Sequence, residues 1–330
     1  SLQAWDAADE FLLSSLAEEK LDPAKPLLVV NDTFGALSTA LHEFRPVLAA
    51  DSFLTFRTAA RNLKANGIPE NQVSPLTPFG SLPVEVSACI LKIPKSLSLL
   101  DTELRWIGGL LPSGAPFFAG GMIRDIHLST LRVIEKRIGP ARTSRGWKKA
   151  RLVFARREEA SSAGGDQGRD AGPRVLVDGA TGLKFALFGG VFSQRGIDAG
   201  TRLLADFLPE GDYGTVVDLG CGSGILGLAA AKKYPRAGVF LVDESFLAVE
   251  SARRTFRENG MEHRGRFVWG NRLESFPDNH ADLILCNPPF HQNRAVSLSS
   301  AMEMFRDSAR VLKPGGELRL VANAHMGYHA

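Results

Sequence analysis

The chain has 330 residues, of which 44% are hydrophobic and 23% charged, with a formal net charge of +3. This composition is typical of a globular protein of about two domains and argues against wholesale disorder. No apolar run approaches the roughly 20 residues that a membrane helix needs, and the first residues lack a signal-peptide pattern. Cys89, Cys221 and Cys286 have no metal-like spacing, so we expect reduced thiols in a cytoplasmic protein with no metal site and no membrane contact.

Basic residues are concentrated near the middle of the chain. Residues 124–157 contain 11 lysines and arginines against 2 acidic residues. Such a block is found on ordinary solvated surfaces, and it is also the electrostatic footprint of a surface that binds a polyanion such as nucleic acid. Composition alone leaves both interpretations open.

A segment rich in Gly, Ser and Ala at 158–173 predicts a linker between a first part, 1–157, and a second part, 174–330. The second part alternates strands and helices, which is typical of a parallel sheet with right-handed crossovers. We predict strands at 215–218, 238–243, 266–269, 281–286 and 317–322, helices at 225–233, 245–259 and 300–312, and a turn at 313–316.

The first part repeats this order of elements. We predict strands at 27–31, 47–51, 88–93 and 116–120, then a helix at 125–138 and a hairpin at 141–145 and 150–155. Asp51 ends its strand as Asp243 does, and FRTAARNLKANG at 56–67 parallels VESARRTFRENG at 249–260, each with an alanine seven residues before Asn-Gly. The sequence therefore predicts an α/β fold of two tandem Rossmann-like domains with mostly parallel, doubly wound sheets, produced by duplication.

The second part has only eight residues after Ala322. A sheet that ended there would expose an unpaired edge. We therefore expect the given sequence to be incomplete at its C-terminus.

A glycine-rich loop follows the first predicted strand of the second part. Gly220, Gly222 and Gly224 come after Asp218 and before a helix. Glycines permit a sharp turn and let backbone N–H groups approach a ligand, although many open α/β sheets use such a loop only for close helix packing. The spacing fits neither a P-loop nor a dinucleotide fingerprint, which favours a ligand without a pyrophosphate.

Two polar residues follow the next strands. Asp243 could accept both hydroxyls of a ribose, or it could cap the following helix. Asn271 could bind an adenine edge, or it could be a turn residue. With the glycine loop, these positions predict an adenosine site along the carboxyl ends of the first three strands.

The sharpest motif is Asn-Pro-Pro-Phe at 287–290, after the fourth strand. Two prolines stiffen the backbone and remove two N–H donors, which leaves carbonyl oxygens and the Asn287 amide. These acceptors suit a planar exocyclic amine, and Phe290 offers a face on which a base could stack. A proline turn with a core phenylalanine is the alternative.

These ordered motifs resemble those of class I S-adenosylmethionine-dependent amino-methyltransferases. The segments GVFSQRGIDAGTRLL at 190–204, NPPFHQ at 287–292 and AMEMF at 301–305 resemble the bacterial rRNA guanine-N2 methyltransferases of the RlmG/RsmC family, with the large subunit branch nearer. The resemblance covers most of the chain and is strongest over 187–325. It implies two class I methyltransferase domains, of which 174–330 is catalytic.

The resemblance implies methyl transfer from S-adenosyl-L-methionine to N2 of a guanine in 23S rRNA. It assigns catalysis to Asn287, Pro288, Pro289 and Phe290. It assigns cofactor binding to Asp218, Gly220, Cys221, Gly222, Gly224, Asp243, Glu244, Asn271 and Asn287. We also expect Phe192, Ser193 and Gly196 to line the entrance for the cofactor or the base.

The first part lacks these motifs. Asn31-Asp-Thr-Phe-Gly35 has one glycine, and Lys92-Ile-Pro-Lys95 stands where Asn-Pro-Pro-Phe would be. A lysine would repel a sulfonium, so we expect this domain to bind no cofactor and to recognise RNA through phosphates. The expected contacts are Lys92, Lys95, Arg124, Arg142, Arg145, Lys148 and Lys149.

Three alternatives stay open at this stage. Methylation of guanine in 16S rRNA of the small subunit is hardly separated from the first interpretation. Methylation of a protein glutamine at N5 also uses an Asn-Pro-Pro site, although usually with tyrosine where this chain has Phe290. A non-enzymatic RNA-binding protein would not need the intact motif set. We expect a monomer, because the duplication resembles a dimer fused into one chain.

Overall fold

The computed structural model describes residues 4–158, 172–288 and 294–321, with only the backbone described for 294–299. The chain divides into two compact units, Ser1–Gly172 and Pro173–Ala330. Most of the predicted linker lies outside the described residues, as does everything after residue 321.

The described part of the first unit is one sheet with helices on both faces. Its helices are α1 (Ala7–Leu16), α2 (Ala36–Ala40), α3 (Phe53–Ala65), α4 (Leu97–Leu110) and α5 (Leu128–Arg137). Its strands are β1 (Leu27–Val30), β2 (Val47–Ala49), β3 (Ser74–Leu76), β4 (Ala88–Lys92), β5 (Pro116–Met122), β6 (Arg142–Thr143) and β7 (Ala150–Arg156). The strand order is β3-β2-β1-β4-β5-β7-β6, with β1 to β5 parallel and β7 antiparallel to both neighbours.

The second unit begins with an antiparallel pair, β8 (Arg174–Val177) and β9 (Lys184–Leu187). Its helices are α6 (Ala199–Asp206), α7 (Ile225–Lys233), α8 (Phe246–Glu258) and α9 (Arg294–Val311). Its remaining strands are β10 (Thr215–Leu219), β11 (Gly238–Asp243), β12 (Gly265–Trp269), β13 (Ala281–Cys286) and β14 (Leu312–Leu320). Within the described residues these five strands form a parallel sheet in the order β12-β11-β10-β13-β14.

In each sheet the central strands bury apolar side chains on both faces. In β1, Leu28 and Val30 pack into one hydrophobic cluster, while Leu27 and Val29 pack into another on the opposite face. The pleat sends successive side chains to opposite faces, so a strand buried on both faces is apolar at most positions. The continuous apolar runs in the sequence are therefore the signature of parallel strands between two helical layers.

The predicted strands and helices are present in this α/β fold, with differences at several places. The helix predicted at 300–312 begins at Arg294. The turn predicted at 313–316 lies within β14, where the register jumps from Ala281–Leu312 to Leu283–Glu317 and accommodates the extra residues as an irregularity. The sequence reasoning gave no range for α1, β3, α4 and α6. It also missed β8 and β9, because they form a separate pair outside the alternating strand–helix pattern.

A glycine caps the first helix after the first central strand in both units. Gly35 has φ +75° and Gly224 has φ +79°, a conformation that favours glycine. A Cβ on Gly35 would lie 2.4 Å from Cα of Ala59, and a Cβ on Gly224 would lie 2.8 Å from Cβ of Ala252. Ala59 and Ala252 are the alanines that lie seven residues before Asn-Gly in the two repeated segments. In each unit, the small alanine lets its helix approach the helix that the glycine caps.

We expect Gly35→Ala to lower the free energy of unfolding of the first unit by about 3 kcal/mol, from left-handed strain and the clash with Ala59. Gly67 is the matched control, because it has φ +70° but a Cβ added there would meet no described atom within 4 Å. Gly67→Ala should therefore cost only the strain, about 1 kcal/mol. Urea unfolding followed by circular dichroism measures both, and equal costs would contradict the packing argument.

Candidate active site

The carboxyl ends of four neighbouring strands meet at one edge of the second sheet. The register pairs Leu219 with Val242 and with Cys286, and Asp243 with Trp269. The loops that follow these residues therefore begin side by side. In open α/β sheets, ligands bind at this edge. The glycine loop, Asp243, Asn271 and Asn287 all lie on it.

The glycine loop is held in a sharp turn by backbone hydrogen bonds. Gly220, Gly222 and Gly224 have φ values of +74°, +51° and +79°, which side chains disfavour. The N–H groups of Gly220 and Cys221 donate to the carbonyl of Val242, at 2.8 and 3.0 Å. Burial raises the pKa of the Cys221 thiol well above its usual value, so this residue offers the loop a packed apolar side chain.

The side chain of Asp218 is buried, and only one of its two carboxylate oxygens has a hydrogen-bond partner among the described residues. Its Oδ2 accepts a hydrogen bond from the N–H of Gly227 at 2.8 Å, which anchors the first turn of α7. Its Oδ1 is buried and has no hydrogen-bond partner among the described residues. Burial, reinforced by the charge of Asp243, raises the pKa of Asp218 to about 8. A buried acceptor without a donor is costly, which marks this oxygen as a place for a ligand donor.

Asp243 is tied to both flanking loops. Its Oδ2 accepts from the N–H of Gly222 at 3.0 Å, and its Oδ1 accepts from the N–H of Ser245 at 3.0 Å. Burial raises the pKa of Asp243 to about 6, and the neighbouring Glu244 adds to this effect. Each carboxylate oxygen has a second lone pair, so Asp243 can hold the glycine loop and still accept from a diol.

An aromatic pair at the end of β12 adds to this edge. The ring of Trp269 lies 5.6 Å from that of Phe246 in an edge-to-face arrangement, and its Nε1 donates to the carbonyl of Glu244 at 2.9 Å. Asn271 follows on the same edge, where its Nδ2 donates to Glu274. The Oδ1 of Asn271 is thus the atom that could accept from an adenine. The sequence reasoning missed Trp269 and Phe246, although both flank predicted site residues.

Asn287 follows β13 directly, and its side chain is held by residues at the start of α6. Its Nδ2 donates to Oδ2 of Asp198 and to Oγ1 of Thr201, both at 2.9 Å. Asp198 is the N-cap of α6. Pro288 is buried, and Pro289 and Phe290 lie outside the described residues. The sequence reasoning missed Asp198 and Thr201, for which the spacing typical of a helix cap was the available signal.

The segment before α6 has an unusual backbone. Ser193 has φ +68°, and its buried Oγ has no partner among the described residues. The side chain of Phe192 is half exposed. Gln194 donates to the carbonyls of Phe188 and Val191, at 2.7 and 2.8 Å, and so fixes the turn. Gly196 adds a φ of +151° to this segment. Strain of this kind is common at ligand sites.

Two family matches to known proteins coincide with the two structural units. The family of the RLMG N-terminal domain matches residues 1–159, and that of the methyltransferase small domain matches 182–330. Ribosomal RNA large subunit methyltransferase G of Streptomyces coelicolor is 41% identical over 99% of this chain and 88% of its own. The same enzyme of Aeromonas salmonicida is 39% identical over 99% of this chain and 86% of its own. The chain belongs to the ribosomal RNA large subunit methyltransferase G family.

A solved structure has the same fold as this family member. The 16S rRNA N2 methyltransferase RsmC of T. thermophilus, in complex with AdoMet and guanosine, has a TM-score of 0.75 and 21% identity. The match covers 98% of this chain and 85% of that chain.

The first unit of this family member lacks the features of the site. Its β1 pairs Val30 with Ala49, as β10 pairs Leu219 with Val242. The residue at the position of Asp243 is therefore Ala50. The expectation that Asp51 corresponds to Asp243 is wrong by one residue, because Asp51 precedes the helix as Glu244 does.

Lys92 occupies the position of Asn287 in the first unit. Its Nζ forms ion pairs with Asp6 and Asp9, both at 2.7 Å, and its side chain is 17% exposed. The structure therefore contradicts the expectation that Lys92 contacts RNA phosphates, because two carboxylates already hold its charge inside the unit.

The other expected RNA contacts lie on the surface. Lys95, Arg145 and Lys149 are exposed. Lys148 lies 4.4 Å from the ring of Trp147 and pairs with Glu10 at 2.8 Å. The remaining two are engaged locally, since the guanidinium of Arg142 lies 4.4 Å over Phe154 and Arg124 lies 3.7 Å from Asp125.

Within residues 4–158, 172–288 and 294–321, no helix is long and apolar enough to cross a membrane. The same residues contain no cluster of three or more His, Cys, Asp or Glu side chains that could hold a metal ion.

Proposed function

We propose that this chain transfers a methyl group from S-adenosylmethionine to the exocyclic N2 of a guanine in 23S rRNA. The observation that carries the proposal is the pairing of Leu219 with Cys286. It places the glycine loop and Asn287 side by side, so that a cofactor loop adjoins an acceptor for an amine. The large subunit relatives, which match nearly the full chain, support 23S rRNA as the substrate.

The residues present fit this cofactor. The buried Oδ1 of Asp218 needs a donor, which the cofactor's ammonium group can supply. Asp243 can accept from ribose hydroxyls, and the edge beside Trp269 and Asn271 is suited to adenine. When bound, S-adenosylmethionine supplies an electrophilic methyl group on a sulfonium. The edge thus offers a carboxylate both to the ammonium end of the cofactor and to its ribose.

The reaction requires orientation and charge stabilisation from the protein. The guanine amine is a weak nucleophile because its lone pair is delocalised into the ring, and its nitrogen becomes positive as the methyl bond forms. We assign stabilisation of that charge to Oδ1 of Asn287 and to the carbonyl of Pro288. Pro289 would keep the loop rigid, and Phe290 would hold the base in the plane needed for attack. An unpaired or flipped-out guanine fits this arrangement.

We assign RNA recognition to the first unit, which we infer is a diverged copy of the second. Five strands in each unit have the same order, and Gly35 and Gly224 pack against corresponding alanines. Ala50 and Lys92 replace the carboxylate and the amide that a cofactor and an amine would need. We therefore propose two tandem Rossmann-like domains, at 1–157 and 174–330, of which the second is catalytic.

The exposed surface of the β6–β7 hairpin supports this assignment. Arg145, Lys148 and Lys149 flank Trp147 in the sequence, Lys148 lies 4.4 Å from its ring, and Trp147 is 38% exposed. Cationic groups around an aromatic ring suit both phosphates and stacked bases. Lys95 and Arg124 extend the proposed surface.

We expect Arg145→Gln combined with Lys149→Gln to weaken RNA binding. The slope of log affinity against log salt should fall by about 0.7 to 0.9 for each lost phosphate contact. Lys232→Gln combined with Arg236→Gln is the matched control, because both residues are exposed on the second unit. Filter binding over a salt series measures the slopes, and equal slopes for the two double variants would contradict this surface.

The methyl transfer itself is tested with rRNA from cells that lack the protein. Labelled S-adenosylmethionine is added, the 23S and 16S RNAs are separated, and each is digested to nucleosides. Label in N2-methylguanosine from 23S rRNA is the expected result. Label in 16S rRNA would keep the chemistry and change the substrate. In a parallel reaction with intact ribosomes from the same cells, label only in a glutamine of a ribosomal protein would overturn an RNA target. We also propose that the chain acts as a cytoplasmic monomer.

A further inference from the structure

The side-chain amide of Asn287 is held at its nitrogen. Nδ2 carries two hydrogens, and it has two acceptors at 2.9 Å, Oδ2 of Asp198 and Oγ1 of Thr201. An ionised carboxylate can only accept, so the nitrogen and not the oxygen of the amide must face Asp198. The oxygen of Asn287 is therefore turned away from Asp198 and Thr201.

Asp198 is itself fixed in place. The same Oδ2 accepts from the backbone N–H of Thr201 at 2.9 Å and from its hydroxyl at 3.2 Å. Partial burial raises the pKa of Asp198, but the hydrogen bonds from Thr201 and Asn287 outweigh this effect and leave the pKa below its usual value. An ordinary N-cap satisfies the first turn of its helix. This one also binds a side chain 89 residues away.

The first unit contains the same connection with different chemistry. Lys92, at the position of Asn287, binds Asp6 and Asp9. Asp6 caps α1 as Asp198 caps α6, and Asp9 lies three residues after its cap as Thr201 does. A link from the strand end to the cap of the preceding helix is thus part of both folds. In the second unit it is made by an amide whose Oδ1 accepts no hydrogen bond within the part of the chain that the structure describes.

We infer that Asp198 and Thr201 are positioning residues for the methyl transfer, holding Oδ1 of Asn287 toward the amine that is methylated. The inference rests on the proposed function of the site. Without the link, rotation of the amide would present its NH2 group to the substrate NH2 group, and two donors repel. A carboxylate behind the amide also polarises it, which makes Oδ1 a better acceptor as the substrate nitrogen becomes positive.

Asp198→Asn removes the negative charge of Asp198 but keeps an oxygen that can cap α6. The hydrogen bonds that Asp198 accepts from Thr201 and from Asn287 use one oxygen, which asparagine retains. We expect kcat to fall about 10- to 100-fold, because an asparagine amide polarises Asn287 less and, since it also carries a donor, no longer forces the nitrogen of Asn287 to face it. The Kd for S-adenosylmethionine and the melting temperature should stay near wild type. Asp206→Asn is the control, because it removes a charge from an exposed residue of the same helix.

Thr201 is tested by two variants of similar size. Thr201→Val removes the acceptor for Asn287 but keeps the backbone cap, and Thr201→Ser keeps both. We expect valine to lower kcat and serine to restore it, with cofactor affinity unchanged in both. Equal kcat for valine and serine, or a wild-type kcat for Asp198→Asn, would overturn the inference.

A measurement without turnover separates this inference from the proposed function. In protein labelled with ¹⁵N-asparagine, the carboxamide signal of Asn287 is assigned by its absence in Asn287→Ala. We expect its two protons to exchange slowly in wild type and rapidly in Asp198→Ala. Slow exchange in a wild-type protein that methylates no RNA would refute the proposed function alone. Rapid exchange in wild type would refute the positioning role.

Discussion

Asn287→Ala should stop methyl transfer while S-adenosylmethionine still binds with nearly wild-type affinity. The alanine removes the acceptor for the amine, and loss of one such group lowers kcat by about 10²- to 10³-fold. Asn287 is separated from Asp243, the carboxylate that we propose binds the ribose, by the central strand β10, since β13 and β11 lie on opposite sides of it. The cofactor contacts through Asp243 and the glycine loop are therefore unaffected.

Single-turnover kinetics and calorimetric titration of the cofactor measure the two effects separately. Asn279→Gly is a suitable control, because Asn279 is exposed with φ +54°, which glycine adopts without strain. Equal losses of kcat and of cofactor affinity in Asn287→Ala would refute this division of labour. The melting temperature checks that the lost link to Asp198 has not unfolded the unit.

The fold was predictable because its signals are local. The strand β11 was predicted with its observed bounds from an apolar run that ends in Asp243, and β13 from one that ends in Cys286. Parallel strands buried on both faces are apolar at most positions, and the helices between them have their own caps. The segment 313–316 was predicted as a turn because it contains proline and two glycines. In the structure it lies within β14 as a register irregularity, which a local sequence pattern does not reveal.

The positions of site residues were predictable, but their partners were not. The edge of the sheet followed from strand order, which brings Asp218, Asp243 and Asn287 together. The contact between Asn287 and Asp198 spans 89 residues, and that between Lys92 and Asp6 spans 86. No local sequence pattern shows that the amide of Asn287 is oriented by Asp198 or that the charge of Lys92 is neutralised by Asp6. The acidic residue one position later, Asp51, likewise hid the correspondence of Ala50 with Asp243.

Asp243→Asn should weaken S-adenosylmethionine binding and remove part of its pH dependence. In the free protein, burial raises the pKa of Asp243 to about 6. Ribose hydroxyls donate to the ionised carboxylate, so binding below that pH requires loss of a proton. Wild-type affinity should therefore fall as the pH is lowered from 7 to 5. The variant should bind about 30- to 100-fold more weakly at pH 7, the effect of one or two hydrogen bonds to a charged group.

The raised pKa of Asp243 makes the stability of the second unit change with pH in the direction opposite to cofactor affinity. Because the folded pKa of Asp243 is above its unfolded value, the stabilisation that it contributes is full below the unfolded value of 3.8 and is lost as the pH rises through about 6. Raising the pH thus destabilises the free second unit while strengthening cofactor binding. Titrations and thermal melts at pH 5, 6, 7 and 8 measure both trends for wild type, Asp243→Asn and the exposed control Asp212→Asn. If affinity and stability changed with pH in the same direction, or if Asp243→Asn kept the wild-type dependence near pH 6, Asp243 would not be the carboxylate that holds the ribose.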